Sequence, residues 1–402
     1  MTLSRGRDYL AIPGPSVVPD RVLQAMHRAA PNIYEGPLVE LTRSVVANLK
    51  RVARTEGEVA IYIANGHGTW EAAISNIFAP GDTALVLSTG RFAAGWGEAA
   101  RAHGVRIATL DFGMHEPADP ARVQDALWAD QEHRIKAVLV VQTDTASSVK
   151  NDVAALRAAI DAAGHPALFM VDCIASLACE RFEMDAWGVD VMVAASQKGL
   201  MTPPGVGFTF HNGKAAAVRA GNPVRSLYWD WAPRVAPERF YQYFGGTAPT
   251  HHLFGLRAAL DMLEEEGLEA CWTRHETHAR AVWTAVETWG GGGPLRLNIA
   301  EPAARSTAVT TITAKGHDMA RLRHWCSENT GLTLGIGLGF EEPEWCGGDS
   351  VFRIGHMGHV NPPMILGALA TVEAGMQALE IPHRRGGVGA AAEVVAAAAP
   401  AR

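Results

Sequence analysis

Between residues 56 and 210, short β-rich apolar runs alternate with helical patterns, and no other feature of the chain restricts its fold as tightly. The runs fall at 59–63, 83–87, 137–141, 167–171, 189–194 and 207–210. Parallel strands need long crossovers, and helices supply them. The alternation therefore predicts a mostly parallel sheet covered by helices, an α/β fold. The segment 152–163 supports this reading: Asp152 stands as a cap, apolar residues follow at helical spacing, and Gly164-His165-Pro166 stops the pattern.

Helical patterns at 253–266 and 275–289 lead out of this region to the glycine run 290–293. Residues 307–313, 318–326 and 351–355 then read as strand, helix and strand, closed by a helix from Pro362 to about Leu379. The predicted organisation is a large cofactor-binding domain at 1–255 with the N-terminal segment included, and a smaller C-terminal α/β domain at 256–382. A Gly/Ala-rich tail at 383–402 reads as a loosely held extension.

At 402 residues the chain buries a large core, and length favours two domains. A net charge of -7 without a basic run argues against a nucleic-acid partner. No apolar stretch approaches the roughly 20 residues that cross a bilayer. The N-terminus lacks an apolar core with a cleavage site, so a cytoplasmic protein is expected. Five cysteines without a Cys-x-x-Cys pair indicate reduced, mostly buried thiols. No metal site is expected, since His251 and His252 are adjacent and not at ligand spacing.

Lys198, in Ser196-Gln197-Lys198-Gly199, follows an apolar run, and Asp172 closes a similar run upstream. A lysine at the end of a buried strand is costly unless its amine is neutral or covalently engaged, and a bond to a cofactor aldehyde engages it. An aspartate nearby would keep a pyridine nitrogen protonated, so that the ring draws electrons from the substrate. Together the pair points to pyridoxal phosphate. Singly, each has a plainer reading, as a solvated charge or a helix cap. In Asn65-Gly66-His67-Gly68 a strand feeds a small-residue turn that opens a helix, which offers N–H groups to a phosphate or forms only a turn. Arg353 interrupts a late apolar run and suits a substrate carboxylate, with a structural ion pair as the alternative.

These motifs resemble the class V (fold type I) pyridoxal phosphate-dependent aminotransferases, in the serine-glyoxylate and alanine-glyoxylate branch. The likeness runs through Ile12-Pro-Gly-Pro-Ser, Asn65-Gly-His-Gly-Thr-Trp-Glu, Val171-Asp-Cys-Ile-Ala-Ser-Leu, Ser196-Gln-Lys-Gly-Leu-Met-Thr-Pro-Pro-Gly, Ser226-Leu-Tyr-Trp-Asp and Phe352-Arg-Ile-Gly-His-Met-Gly, nearly the whole chain. The resemblance implies a fold type I transferase in which Lys198 holds the cofactor covalently and Asp172 pairs with its pyridinium. It also implies that Asn65, Gly66, His67 and Gln197 hold the phosphate, that Thr145 lies near O3′ and that Phe92 stacks on the ring.

Thr247 matches a threonine that reaches the phosphate from a neighbouring subunit, so a homodimer or higher homo-oligomer is implied. Arg353, Gly14 and Tyr34 fall on the substrate side. The chain departs from the pattern at Phe244, where relatives carry a tyrosine hydroxyl that Tyr241 or Tyr243 would have to replace. It departs again at residues 31–36, where Tyr34 stands in place of a His-Arg pair. The expected reaction is transamination between a small amino acid of the serine or alanine class and glyoxylate or pyruvate. Pyridoxamine-pyruvate aminotransferase and, further off, a lyase of the same fold are the rival activities. A nicotinamide-dependent dehydrogenase lacks its glycine fingerprint here.

Overall fold

The computed structural model describes residues 3–398. Its strands, in chain order, are β1 (Tyr9–Ala11), β2 (Glu58–Tyr62), β3 (Thr83–Ser88), β4 (Arg106–Asp111), β5 (Ile135–Val141), β6 (Leu168–Asp172), β7 (Val191–Ala195), β8 (Gly207–His211), β9 (Arg296–Leu297), β10 (Val309–Thr313), β11 (Leu332–Ile336) and β12 (Val351–Gly355). A seven-stranded sheet has the order β2-β8-β7-β6-β5-β3-β4. Every pairing from β7 to β4 is parallel, and β8 closes the other edge through antiparallel pairings with β7 and β2. The mostly parallel α/β sheet expected from the alternation is therefore present. β6, β7 and β8 are buried along their whole length, as a sheet covered on both faces requires.

β4 was not expected as a strand. It lies at the sheet edge and none of its residues is buried, so it lacks the continuous apolar run by which the central strands are recognised. The helix Val153–Ala162 begins where its cap signal stood, with Asp152 accepting from the Ala155 N–H at 3.0 Å.

A second sheet of five strands has the order β1-β11-β12-β10-β9. β1, counted above with the large domain, pairs in parallel with β11 and so belongs to this second sheet. The N-terminal chain consequently crosses from the second sheet to the first, and residues 13–16 lie over the turn that carries Lys198. The tail read as a loose extension is the helix Gly387–Ala398, which buries Gly387 and Ala391. A Cβ at Gly387 would collide with the Trp289 indole, so the small-residue composition permits this helix to seat closely on Leu268–Gly290. Residues 399–402 of that tail lie outside the described residues. No helix among the described residues is long and apolar enough to cross a membrane. Four cysteines are buried, Cys346 is exposed, and all five are free thiols.

Candidate active site

The carboxyl ends of β5, β6 and β7 open into one cavity of about 280 Å³. Such crevices at the strand ends of an open α/β sheet are where ligands of this architecture bind. β6 ends in Asp172, the turn after β5 carries Thr143 and Thr145, and the turn after β7 carries Gln197 and Lys198. The helix Gly66–Ile77 starts at the same place, capped by Asn65, whose Oδ1 accepts from the Gly68 N–H at 3.2 Å.

Nine of the residues singled out in the sequence line this cavity together: Gly14, Asn65, Gly66, His67, Phe92, Thr145, Asp172, Gln197 and Lys198. Arg353 reaches the same region from β12. It is 5 % exposed, donating from Nε to the Ile336 carbonyl at 2.7 Å and from Nη1 to the Thr145 carbonyl at 2.6 Å. Both partners are carbonyls, and a guanidinium has five N–H donors, so capacity for a carboxylate remains.

Tyr34 is not brought in. It is 83 % exposed and lies outside the cavity lining, and the neighbouring Ile33, not Tyr34, is the side chain of segment 31–36 that packs on the core. Thr247 is exposed on the segment following Phe240–Phe244 and is likewise absent from the lining. Phe244 is fully buried in the hydrophobic core, with Phe240 at 5.6 Å and Tyr243 at 6.1 Å between ring centroids. Tyr241 is 52 % exposed, and neither Tyr241 nor Tyr243 lines the cavity.

Lys198 is held by neighbours that sequence reasoning missed. Its Nζ donates to the Pro13 carbonyl. The Ser16 hydroxyl donates to the Lys198 carbonyl at 2.7 Å, and the Ser16 N–H donates to the Gln197 carbonyl at 2.8 Å. Gly14 sits at φ +102°, and a Cβ there would collide with the lysine side chain, so only glycine lets the N-terminal strap pass so closely. Burial lowers the Lys198 amine to about 8, the Arg353 charge adds to that, and the Asp172 charge opposes it. About a tenth of the amine is therefore neutral, and thus nucleophilic, at pH 7, far more than for a solvated lysine.

Burial pushes the Asp172 carboxyl up to about 7, against the stabilising Ile174 N–H and Trp70 indole, with the nearby Asp144 charge adding to the rise. Oδ1 accepts from the Ile174 N–H at 2.6 Å and Oδ2 from the Trp70 Nε1–H at 2.7 Å. Asp144, next to Thr145 in the sequence, was given no role there. It is fully buried and accepts from the Phe92 N–H at 2.7 Å, the Ala93 N–H at 3.0 Å and the Ala146 N–H at 2.9 Å. One carboxylate therefore fixes both the start of the helix Arg91–Ala102, where Phe92 stands, and the turn that bears Thr145.

A planar pyridine aldehyde with a phosphate arm fits these residues. A buried amine faces a carbonyl instead of a carboxylate, and a buried acid lines the same cavity. Buried Gln197 Oε1 has no hydrogen-bond partner, an atom that solvent or a ligand ordinarily satisfies. Asn65, Gly66 and His67 open the helix Gly66–Ile77, whose first N–H groups and positive end suit a phosphate.

Comparison with known proteins agrees. Residues 9–343 match the family described as "Aminotransferase class-V". A serine–glyoxylate aminotransferase of Methylorubrum extorquens is 37 % identical over 375 residues, covering 92 % of this chain and 90 % of that protein. An L-aspartate–glyoxylate aminotransferase of Paracoccus denitrificans is 35 % identical over 390 residues, covering 95 % and 94 %. Among solved structures, pyridoxamine-pyruvate aminotransferase of Mesorhizobium loti superposes with a TM-score of 0.88 at 26 % identity, covering 99 % of this chain and 100 % of that one. The chain belongs to the class-V aminotransferases, enzymes of the fold type I group that depend on pyridoxal phosphate.

Proposed function

We propose that the protein transfers an amino group from a small amino acid to glyoxylate or pyruvate, with Lys198 as the covalent anchor and proton carrier. The observation that carries this reading is the convergence of Lys198, Asp172, Phe92 and the Asn65–His67 turn on one cavity, with Arg353 at its edge. Pyridoxal phosphate, when bound, supplies an aldehyde that accepts the amino group and a ring that withdraws electrons from Cα.

With the cofactor bound, Lys198 Nζ would be the group that anchors it and, when free, the base that carries the donor's Cα proton. Its amine is lowered to about 8, which suits a group that must shed and regain a proton near neutrality. Asp172 would pair with the cofactor's ring nitrogen, and Phe92 would pack against its ring. Gln197 and the N–H groups around Gly66 and His67 would hold its phosphate, and Thr145 would serve its O3′ side. Arg353 grips the α-carboxylate in a two-pronged contact, which orients the bond to be broken. Gly14 keeps the N-terminal strap close over Lys198 on the substrate side, whereas Tyr34 acts only from solvent or against a second chain.

Among the described residues no arginine lines the cavity and Arg353 borders it through the Thr145 carbonyl, so no second guanidinium is placed for a distal carboxylate, which favours serine- or alanine-sized donors. Thr247 serves a neighbouring subunit's phosphate in a homodimer, the protein works in the cytoplasm, and the cofactor-binding part ends near residue 255. Amino transfer to glyoxylate and to pyruvate from a panel of serine, alanine and aspartate tests the reading. Turnover with serine or alanine is expected, and no turnover with any donor would refute it.

One second reading is pyridoxamine as substrate with pyruvate as acceptor, because among the described residues no tyrosine hydroxyl lines the cavity to hold a phosphate. Retention of phosphate and yellow colour through gel filtration separates the two, since a vitamin substrate would wash out.

A further inference from the structure

We propose that Trp70 is a positioning residue that aims the Asp172 carboxylate, acting through its indole N–H so that the ring nitrogen of the cofactor meets a fixed, ionised acid. The inference rests on the cofactor reading above. Trp70 stands on the first turns of the helix Gly66–Ile77 and is 2 % exposed. Its Nε1 donates to Asp172 Oδ2 at 2.7 Å across 102 residues of chain, while Oδ1 takes the Ile174 N–H at 2.6 Å. Each oxygen is thereby held by one donor, which fixes the plane of the carboxylate and leaves further acceptor capacity for a third donor. A charge-assisted bond in a buried site is stronger than one between neutral groups, and its loss leaves a buried oxygen unpaired.

The indole is itself clamped. Its ring centroid lies 6.3 Å from that of Trp96 in a stacked arrangement, 6.4 Å from Phe92 edge-on and 4.7 Å from His67. Phe92 and His67 line the cavity with Asp172, so one side chain braces the acid, the stacking ring and the phosphate turn at once. A donor held this firmly sets a direction as well as a charge state. Phenylalanine at position 70 would keep most of the packing and delete only the N–H.

The test compares binding of pyridoxal phosphate with that of its 1-deaza analogue, in which the ring nitrogen is replaced by C–H. The full-length protein is freed of cofactor and reconstituted with each. Wild type should prefer the natural cofactor, and Trp70→Phe should shrink that preference by about tenfold. The acid limb of its binding curve should move to higher pH, since a donor that favours the ionised carboxylate has gone. Trp70→His, which restores an N–H on a smaller ring, should recover part of the preference. Equal weakening toward both compounds would overturn the proposal and leave Trp70 as packing alone. A wild type that binds both compounds equally would instead sink the role of Asp172, and with it the cofactor reading.

Should Trp70→Phe fail to fold, the wild type still decides. In apoprotein labelled with ¹⁵N-tryptophan, one of the eleven indole N–H resonances should shift with a midpoint near 7 and lose that titration in Asp172→Asn. Absence of any such resonance would overturn the proposal.

Discussion

The carboxyl ends of β5–β7 and the segment 240–250 both carry residues expected at the cofactor, yet the structure treats them oppositely. Asp172, Thr145, Gln197 and Lys198 project from strand ends into one cavity, whereas Phe244 turns into the core and Thr247 into solvent. A strand end is fixed by its register: β6 pairs with β5 and β7 residue by residue, so the residues following them arrive at one edge together. The later segment has no ladder. It is seated by Arg234, a buried guanidinium that donates to the Ile61 carbonyl at 2.7 Å and the Tyr243 carbonyl at 3.2 Å, and Thr247 on its outer face is exposed.

The contrast is broken most sharply at Lys198. Lys198→Ala should lower amino transfer by at least about 10³-fold, since it removes both the attachment and the proton carrier, while thermal stability changes little. Steady-state kinetics beside a melting curve check this, and a modest loss would remove the strand ends from the chemistry.

The pH dependence comes next in size. Cofactor loading needs a neutral amine, and the Lys198 amine is lowered to about 8. Below that pH the amine is protonated, so the loading rate of apoprotein should fall about tenfold per unit toward pH 6 and level off above 8. Stopped-flow absorbance follows it, and a rate still climbing steeply at pH 10 would mean an ordinary, solvated lysine.

Arg353→Leu should raise KM for the amino donor by about 10- to 100-fold and affect kcat less, as expected when a charged grip on the substrate is removed. A change in kcat alone would give Arg353 a purely structural task, through its bonds to Ile336 and Thr145.

The smallest effects belong to the other region. Thr247→Ala should weaken cofactor binding by about tenfold or less, and only at protein concentrations where the oligomer forms. Phe244→Tyr should leave cofactor affinity unchanged and cost about 1–3 kcal/mol of stability by burying a hydroxyl among Phe240 and Tyr243. Tighter phosphate binding in that variant would show that the segment swings toward the cavity after all.

What was legible in the sequence follows the same division. Long apolar strands ending in Asp172 or leading to Ser196-Gln197-Lys198 announce themselves, because covered parallel strands are apolar throughout. β4, exposed at the sheet edge, and the short strand β1 carry no such run, and the crossing of β1 into the second sheet depends on pairing with β11, more than 300 positions later. The helix Gly387–Ala398 was missed although alanine favours a helix, because its small side chains form no marked apolar stripe, and only the neighbouring Trp289 explains the need for them. Trp70 stood inside a quoted motif and Asp144 beside Thr145, but no local pattern tells that an indole meets an acid 102 residues away or that Asp144 ties Phe92 to Thr145.

Reductive trapping is the most direct measurement. Borohydride treatment of purified protein loaded with pyridoxal phosphate, followed by peptide mass analysis, should leave a stable pyridoxyl group on the peptide containing Lys198 and none in Lys198→Ala. Its appearance on another lysine, or on none, would contradict the assignment of Lys198 as the cofactor's anchor.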